Sequence, residues 1–192
     1  MIRIQSFSTL PLVRARQGEV YSIALSHPRN VGVRGEVRCE DSRGERPANS
    51  LEVKNMKQVR IWTDGSCLGN PGPSGAAALL VCGRHRKIVK AGSSSSTNNR
   101  AELSAVLLGL KALKLKSAVT IFTDSQYVIK VASPTRKKIK ANLDLVQILD
   151  RQLAQHQVKF VYVKGHSGSR HNEWVDVIAH DQARLAKEGL SA

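Results

Sequence analysis

Cysteine is scarce in this chain of 192 residues, which has only Cys39, Cys67 and Cys82. An odd number of cysteines without paired spacing is typical neither of a disulfide framework nor of a zinc site. Long apolar runs are lacking too: no stretch approaches the roughly 18 residues that a membrane-spanning helix needs. The N-terminus also has no apolar core followed by a small-residue cleavage site. We therefore expect a cytoplasmic protein without a membrane partner.

Acidic residues are few relative to basic ones, with 15 Asp and Glu against 30 Lys and Arg and a net charge of +15. This balance indicates a polyanionic partner, most often nucleic acid. A basic surface without a function is the alternative. Charge alone does not separate a nuclease from a passive binding module.

Residues 1–55 have little regular pattern. Eight of their nine basic residues are Arg, whereas Lys leads Arg by 13 to 8 from Met56 onward. Turn-forming residues are scattered through the segment, and no period of 2 or 3.6 is sustained. We expect a poorly ordered extension, or a product of translation from a misplaced start, because Met56 stands just before the first strong strand. A small nucleic-acid-binding module is the alternative, although Phe7 and Tyr21 offer it little stacking surface.

From Met56 onward the hydrophobic pattern predicts the order β-β-β-α-β-α-α-β-α. This order is typical of an α/β protein in which an antiparallel meander joins parallel strands through helical crossovers. The predicted strands are Val59–Thr63, Ala76–Cys82, Lys87–Ala91, Ala118–Thr123 and Val158–Val163, and the predicted helices are Arg100–Lys114, Gln126–Val131, Leu143–Gln155 and Asn172–Lys187.

Two of the predicted strands run into the same dipeptide, Thr63–Asp64 and Thr123–Asp124. Ligand sites in open α/β sheets gather outside the carboxyl ends of the strands. If these strands are parallel neighbours, two carboxylates lie side by side, which is costly without a counter-charge such as a divalent cation. The alternative is that each Asp caps the loop or helix that follows it.

Glu102 and Asp176 add weight to this pattern, although neither is persuasive alone. Glu102 has capping-box spacing from Asn99, and Asp176 would be an ordinary solvated helix residue. From Met56 onward there are nine acidic residues, and these four are among them. Ligands that are all oxygen suit Mg²⁺ or Mn²⁺. The set indicates phosphodiester hydrolysis by two metal ions roughly 4 Å apart.

Four ordered motifs resemble those of bacterial type 1 ribonuclease H. The resemblance covers the chain after Met56 and nothing before it. The motifs are Thr63–Pro73 (TDGSCLGNPGP), Thr97–Leu103 (TNNRAEL), Thr123–Val128 (TDSQYV) and Val163–His166 (VKGH) leading to Asn172, Glu173 and Asp176.

The resemblance implies a ribonuclease H-like fold, with a five-stranded mixed sheet of three antiparallel and two parallel strands flanked by helices. It implies an endonuclease domain over residues 56–192 that hydrolyses the RNA strand of RNA–DNA hybrids, leaving 5′-phosphate and 3′-hydroxyl ends. The protein would act as a monomer with two Mg²⁺ ions, which Mn²⁺ could replace. The residues that match the family's metal ligands are Asp64, Glu102, Asp124 and Asp176, and His166 matches its mobile histidine, which assists proton transfer or product release.

The same resemblance implies a set of polar side chains that contact the hybrid. Such proteins read the shape and the 2′-hydroxyls of a wide minor groove rather than sequence. Asn70 and Thr97 match residues that hold a DNA phosphate. The alternative is that these residues only shape turns. The full predicted set is Cys67, Asn70, Thr97, Asn98, Asn99, Ser125, Gln126 and Asn172.

The chain departs from the family pattern between Tyr127 and Leu143. This segment is shorter than in the best-known members and lacks the tryptophans of their basic protrusion. It keeps a basic run, Arg136, Lys137, Lys138 and Lys140. Ser74 also stands where Gly is usual. These departures predict a weaker grip on the duplex with unchanged chemistry.

Two other functions remain open from the sequence. One is a hybrid-binding module without activity, which would have no need of metal ligands. The other is a different metal nuclease of the same broad fold, such as a transposase-like or junction-resolving enzyme, which would have no need of side chains for 2′-hydroxyls.

Overall fold

The computed structural model describes residues 56–165 and 169–190. The expectation for residues 1–55 and the position of His166 lie outside these ranges. The described strands are β1 (Lys57–Cys67), β2 (Gly72–Cys82), β3 (His85–Ser96), β4 (Ser117–Thr123) and β5 (Gln157–Tyr162), and the described helices are α1 (Asn98–Lys111), α2 (Gln126–Ala132), α3 (Leu143–Gln155) and α4 (Arg170–Lys187).

The five strands form one mixed sheet in the order β3-β2-β1-β4-β5. Strand β2 pairs antiparallel with both β1 and β3. Strand β4 pairs parallel with both β1 and β5. This arrangement confirms the predicted meander joined to parallel strands, and it makes β1 and β4 direct neighbours.

Helices cover both faces of the sheet, because successive strand residues point to opposite sides. Ile61 faces one side and packs with Leu103 and Phe160 in a core that α1, α2 and α3 complete. Trp62 faces the other side and packs with Val175 of α4. The central strands are therefore buried between helices on both faces, whereas the edge strand β3 is largely exposed. In the described chain, α4 lines the second face of the meander.

Glycine and alanine let α4 approach the sheet closely. A Cβ atom added to Gly75 would overlap the carbonyl oxygen of Ala179, and it would lie 2.6 Å from the backbone nitrogen of Ala183. The neighbouring Ala76–Ala78 run is buried and presents little volume. This close approach packs the second half of α4 directly against β2.

The structure differs from several predicted elements. In the meander, β2 begins at Gly72 instead of Ala76, and β3 spans His85–Ser96 instead of Lys87–Ala91. Strand β1 does not end at Asp64, because its antiparallel pairing with β2 continues to Cys67 and Ser74. The parallel pairing of β1 with β4 stops earlier, at Trp62 and Phe122, just before Asp64. Helix α1 begins two residues before its predicted start and ends at Lys111 instead of Lys114. No helix among the described residues is long and apolar enough to cross a membrane.

Candidate active site

Three acidic side chains meet at the point where β1 and β4 part. Asp64, Glu102 and Asp124 each offer one oxygen, and these oxygens lie within 4.8 Å of one another. Asp64 belongs to β1, Glu102 to α1, and Asp124 directly follows β4. The predicted neighbourhood of two parallel strands thus accounts for two of the three carboxylates, and helix α1 supplies the other.

Asp176 of α4 lies beside this group. Its side chain is within hydrogen-bonding reach of Asp64, and its charge acts on both Asp64 and Glu102. The residue is half-buried, next to the fully covered Val175. The structure therefore places Asp176 beside Asp64, but outside the group of three carboxylates whose oxygens lie within 4.8 Å of one another.

Burial and mutual repulsion hold protons on this cluster. Burial first, and then the charges of Asp124 and Asp176, raise the pKa of Asp64 to about 8. Burial and the charges of Asp64 and Asp124 raise the pKa of Glu102 to about 9. The nearby backbone N–H of Gly65 lowers both pKa values and so opposes these increases. A divalent cation would relieve the same repulsion, because it favours the ionised form of every carboxylate around it.

Glu102 is turned toward the cluster and does not cap its helix. Thr97 is the N-cap of α1, and Glu102 is the fifth residue of the helix. The capping-box interpretation of Glu102 is therefore wrong. The side chain is buried, and its Oε2 atom has no hydrogen-bond partner within the described residues. A buried carboxylate oxygen without a donor is costly, and hard cations such as Mg²⁺ bind oxygens of this kind.

Gly65 and Gly165 allow the carboxylates to come together. A Cβ atom on Gly65 would overlap the backbone of Ala101 and Glu102, so β1 and α1 touch at this glycine. A Cβ atom on Gly165 would lie 3.0 Å from Oδ2 of Asp124. Both glycines stand inside the quoted motifs, although spacing alone does not reveal their packing role.

Asn172 holds Asp124 from the side of α4. Its Nδ2 donates to Oδ2 of Asp124 over 3.4 Å. The residue is 3% exposed, and its Oδ1 has no partner among the described residues. An amide held in this way fixes the orientation of a neighbouring carboxylate.

Other predicted contact residues surround the loop between β1 and β2 and the start of α1. Oδ1 of the exposed Asn70 accepts a hydrogen bond of 3.3 Å from the backbone nitrogen of Asn98. Asn98 and Asn99 are exposed in the first turn of α1, and Thr97 precedes them. Gln126 is exposed in the first turn of α2, beyond Asp124.

Two members of the predicted contact set have partners inside the protein. Ser125 is buried and its Oγ accepts a hydrogen bond from the backbone nitrogen of Val128, so it caps α2. The half-buried thiol of Cys67 lies 3.6 Å from the carbonyl oxygen of Gly72 and 3.5 Å from that of Ser96. These contacts hold Ser125 at the start of α2 and Cys67 near the loop that carries Asn70.

Comparisons with known proteins agree with this geometry. The family model described as RNase H matches residues 56–184. A ribonuclease H of Bordetella bronchiseptica is 44% identical over 143 residues, which is 68% of this chain and 92% of the relative.

Two solved structures share the fold. LC9-RNase H1, a type 1 RNase H with the type 2 active-site motif, has a TM-score of 0.61 and 28% identity and covers 67% of this chain and 73% of its own. LC11-RNase H1, solved in complex with an RNA/DNA hybrid, has a TM-score of 0.58 and 20% identity and covers 67% of this chain and 98% of its own.

Proposed function

Because this chain belongs to the ribonuclease H family, we propose that it is an endonuclease that hydrolyses the RNA strand of RNA–DNA hybrids. The products would carry 5′-phosphate and 3′-hydroxyl ends. The observation that carries the proposal is the group formed by Asp64, Glu102 and Asp124, whose oxygens lie within 4.8 Å of one another. Three carboxylates this close in a chain of net charge +15 suit metal-assisted attack on a polyanion better than direct contact with it.

The donor set suits Mg²⁺, with Mn²⁺ as a substitute, because every candidate ligand atom is a carboxylate oxygen. We propose that Asp64, Glu102, Asp124 and Asp176 hold two ions when the substrate is bound. The ions would supply an activated water and would stabilise the charge on the leaving 3′ oxygen. The buried and unpartnered Oε2 of Glu102 supports this assignment.

The remaining polar residues would orient a carboxylate of the cluster, move a proton or contact the hybrid. Asn172 donates to Asp124 and fixes the direction of that carboxylate. His166 would move a proton or assist product release; it directly follows Gly165 in the sequence, and Gly165 borders Asp124. The exposed amides and hydroxyls would read the minor groove of the hybrid, with Asn70 and Thr97 on a DNA phosphate. The proposed contact set is Cys67, Asn70, Thr97, Asn98, Asn99, Ser125, Gln126 and Asn172.

One copy of residues 56–192 is expected to suffice for this activity. The acidic residues of the cluster all come from a single chain, and the family match begins at Met56, one residue before β1. We therefore propose a monomeric enzyme whose catalytic domain starts at Met56 and to whose chemistry residues 1–55 do not contribute.

A strand-resolved cleavage assay tests the function. Hybrid, all-RNA and all-DNA duplexes of one sequence, each labelled on one strand at a time, are incubated with the protein and Mg²⁺. We expect cuts only in the RNA strand of the hybrid, with product ends that a ligase accepts as 5′-phosphate and 3′-hydroxyl. Binding without cutting would indicate an inactive hybrid-binding module, and cuts in the DNA duplex would indicate a different metal nuclease.

Salt dependence tests the predicted weaker grip on the duplex. Arg136 is paired with Asp150, so only three of the four basic residues in the run lack an ion-pair partner among residues 56–165 and 169–190. The slope of log affinity against log salt concentration is negative, and for duplex DNA each phosphate contact makes it steeper by about 0.9. We expect a shallower slope for this protein than for a relative with the longer protrusion, both measured on one hybrid. Equal slopes would contradict the prediction.

A further inference from the structure

The segment 133–142 between α2 and α3 carries the basic run, and we name it the basic loop. Lys137, Lys138 and Lys140 are exposed on it. Arg136 is bound within the protein, because its guanidinium donates to both oxygens of Asp150 over 2.8 and 2.7 Å and to the carbonyl of Val131 over 2.7 Å. This pair fixes the first half of the loop to α3, and the three lysines are the cations of the loop without an ion-pair partner in the described part of the chain.

The other end of the basic loop is fixed through Asn142. This residue has a left-handed backbone, with φ 55°. Its Nδ2 donates to the hydroxyl of Tyr127 over 2.9 Å, and its Oδ1 accepts from Nη1 of Arg100 over 3.4 Å. The same Arg100 donates to both oxygens of Asp144 over 2.9 and 2.6 Å. One guanidinium therefore holds the last residue of the loop and the first turn of α3 together.

Arg100 belongs to the first turn of α1, next to Asn99 and two residues before Glu102. The helix that carries a carboxylate of the cluster is thus tied directly to the loop that carries the free lysines. We propose that Arg100 is a positioning residue, whose forked contact with Asp144 and Asn142 sets the distance between the basic loop and the metal-binding carboxylates. This inference rests on the proposed function, because it assumes that the lysines and the carboxylates engage one hybrid.

The fork is better suited to positioning than to stabilising the fold. The side chains of Arg100 and Asp144 are 35% and 58% exposed. Ion pairs with this exposure contribute little to the free energy of unfolding. Two parallel hydrogen bonds to one carboxylate nevertheless fix a direction that a lysine in the same place does not.

The variant Asp144→Asn separates positioning from charge. It opens the fork and makes the protein more positive, so charge alone would strengthen hybrid binding. Positioning predicts the opposite: the KM for the hybrid rises about tenfold, as misplacement of a binding group can cause, while kcat stays within twofold. Arg100→Lys, which keeps the charge and loses the fork, should behave in the same way. Arg151→Lys on the exposed side of α3 is the matched control and should leave KM unchanged.

The three lysines provide the second readout. With Lys137, Lys138 and Lys140 all changed to Ala, Asp144→Asn should no longer raise KM, because the loop has no free cation left to place. In the wild-type background, Asp144→Asn should also flatten the slope of log KM against log salt. Thermal melting of every variant identifies any loss of folding.

Three results would overturn the inference: an unchanged or lower KM in Asp144→Asn, a fall in kcat alone, or an equal effect of that variant with and without the lysines. Failure of the proposed function is distinguishable, because the wild-type protein would then not cut the hybrid. In that case fluorescence anisotropy with the uncleaved hybrid still reports whether Asp144→Asn weakens binding.

Discussion

The Asp124→Asn variant is expected to lose about a thousandfold in hybrid cleavage, since it removes an anionic ligand of the proposed metal ions. Asparagine has nearly the same shape as aspartate, so the packing around Gly165 and Asn172 is preserved. Hybrid binding without turnover should be equal to that of the wild type or tighter, because one negative charge facing a polyanion is gone. Single-turnover cleavage and fluorescence anisotropy on the same labelled hybrid measure the two effects.

The matched control for this variant is Asp181→Asn. Asp181 lies on α4 like Asp176, but its side chain is 57% exposed and its pair with Arg184 is long, at 3.9 Å. Loss of the Asp181 charge should leave the cleavage rate within twofold of the wild-type rate. Turnover close to the wild type in Asp124→Asn would remove this residue from the metal site and would weaken the assignment of the whole cluster.

Without metal, the folded protein is expected to lose stability as the pH rises from about 4 to about 9. The pKa values of Asp64 and Glu102 are about 8 and about 9 in the folded state, against 3.8 and 4.5 as ordinary values. The folded protein therefore binds more protons than the unfolded chain throughout this interval. Stability from these groups is fully present below pH 4 and is lost as the pH passes the folded values.

The size of this loss follows from the linkage between protonation and folding. Each group contributes up to about 1.4 kcal/mol per pH unit between its two pKa values. A fall on the order of a few kcal/mol between pH 6 and pH 8 corresponds to a decrease in Tm of roughly 5–15 °C for a domain of this size. Mg²⁺ binds the ionised carboxylates, so the increase in Tm that it causes should be larger at pH 8 than at pH 6. Melting curves with EDTA and with Mg²⁺ at both pH values measure these effects.

Glu102→Gln is the matched variant for the pH experiment. An amide of the same size cannot ionise, so the metal-free variant should melt at a higher temperature than the wild type at pH 8. Its Tm should also depend less on pH and on Mg²⁺, and its cleavage activity should be lost. A metal-free wild-type protein whose stability rises between pH 6 and pH 8 would contradict the assigned direction.

Several features of the fold could be predicted because they depend on neighbours along the chain. The apolar spacing of Leu103, Val106 and Leu110 predicts the buried face of α1, and all three side chains are fully buried in the structure. The run that ends at Thr123 coincides with the end of β4. In such segments the period of burial and the period of the element are the same, so a single sequence contains the information.

Pairing between strands decided what the local pattern could not. The breaker-rich residues after Asp64 resemble a loop, yet β1 continues to Cys67 because β2 offers it a partner. Glu102 has the local spacing of a helix cap. Its side chain nevertheless lies beside Asp64, because α1 approaches β1 closely at Gly65. Both outcomes depend on a surface that is remote in sequence.

The sequence by itself determined the order of elements and the positive charge, and it predicted the four carboxylates with their amide neighbours, because these follow from local periodicity and from contiguous motifs. The tertiary structure alone decided how charged groups are partnered. It binds Arg136 to Asp150, whereas three neighbouring lysines have no ion-pair partner within the described residues, and it joins Arg100 to Asp144 across 44 residues. An ion pair between distant residues depends on where the folded chain brings them, and that position is a property of packing rather than of spacing.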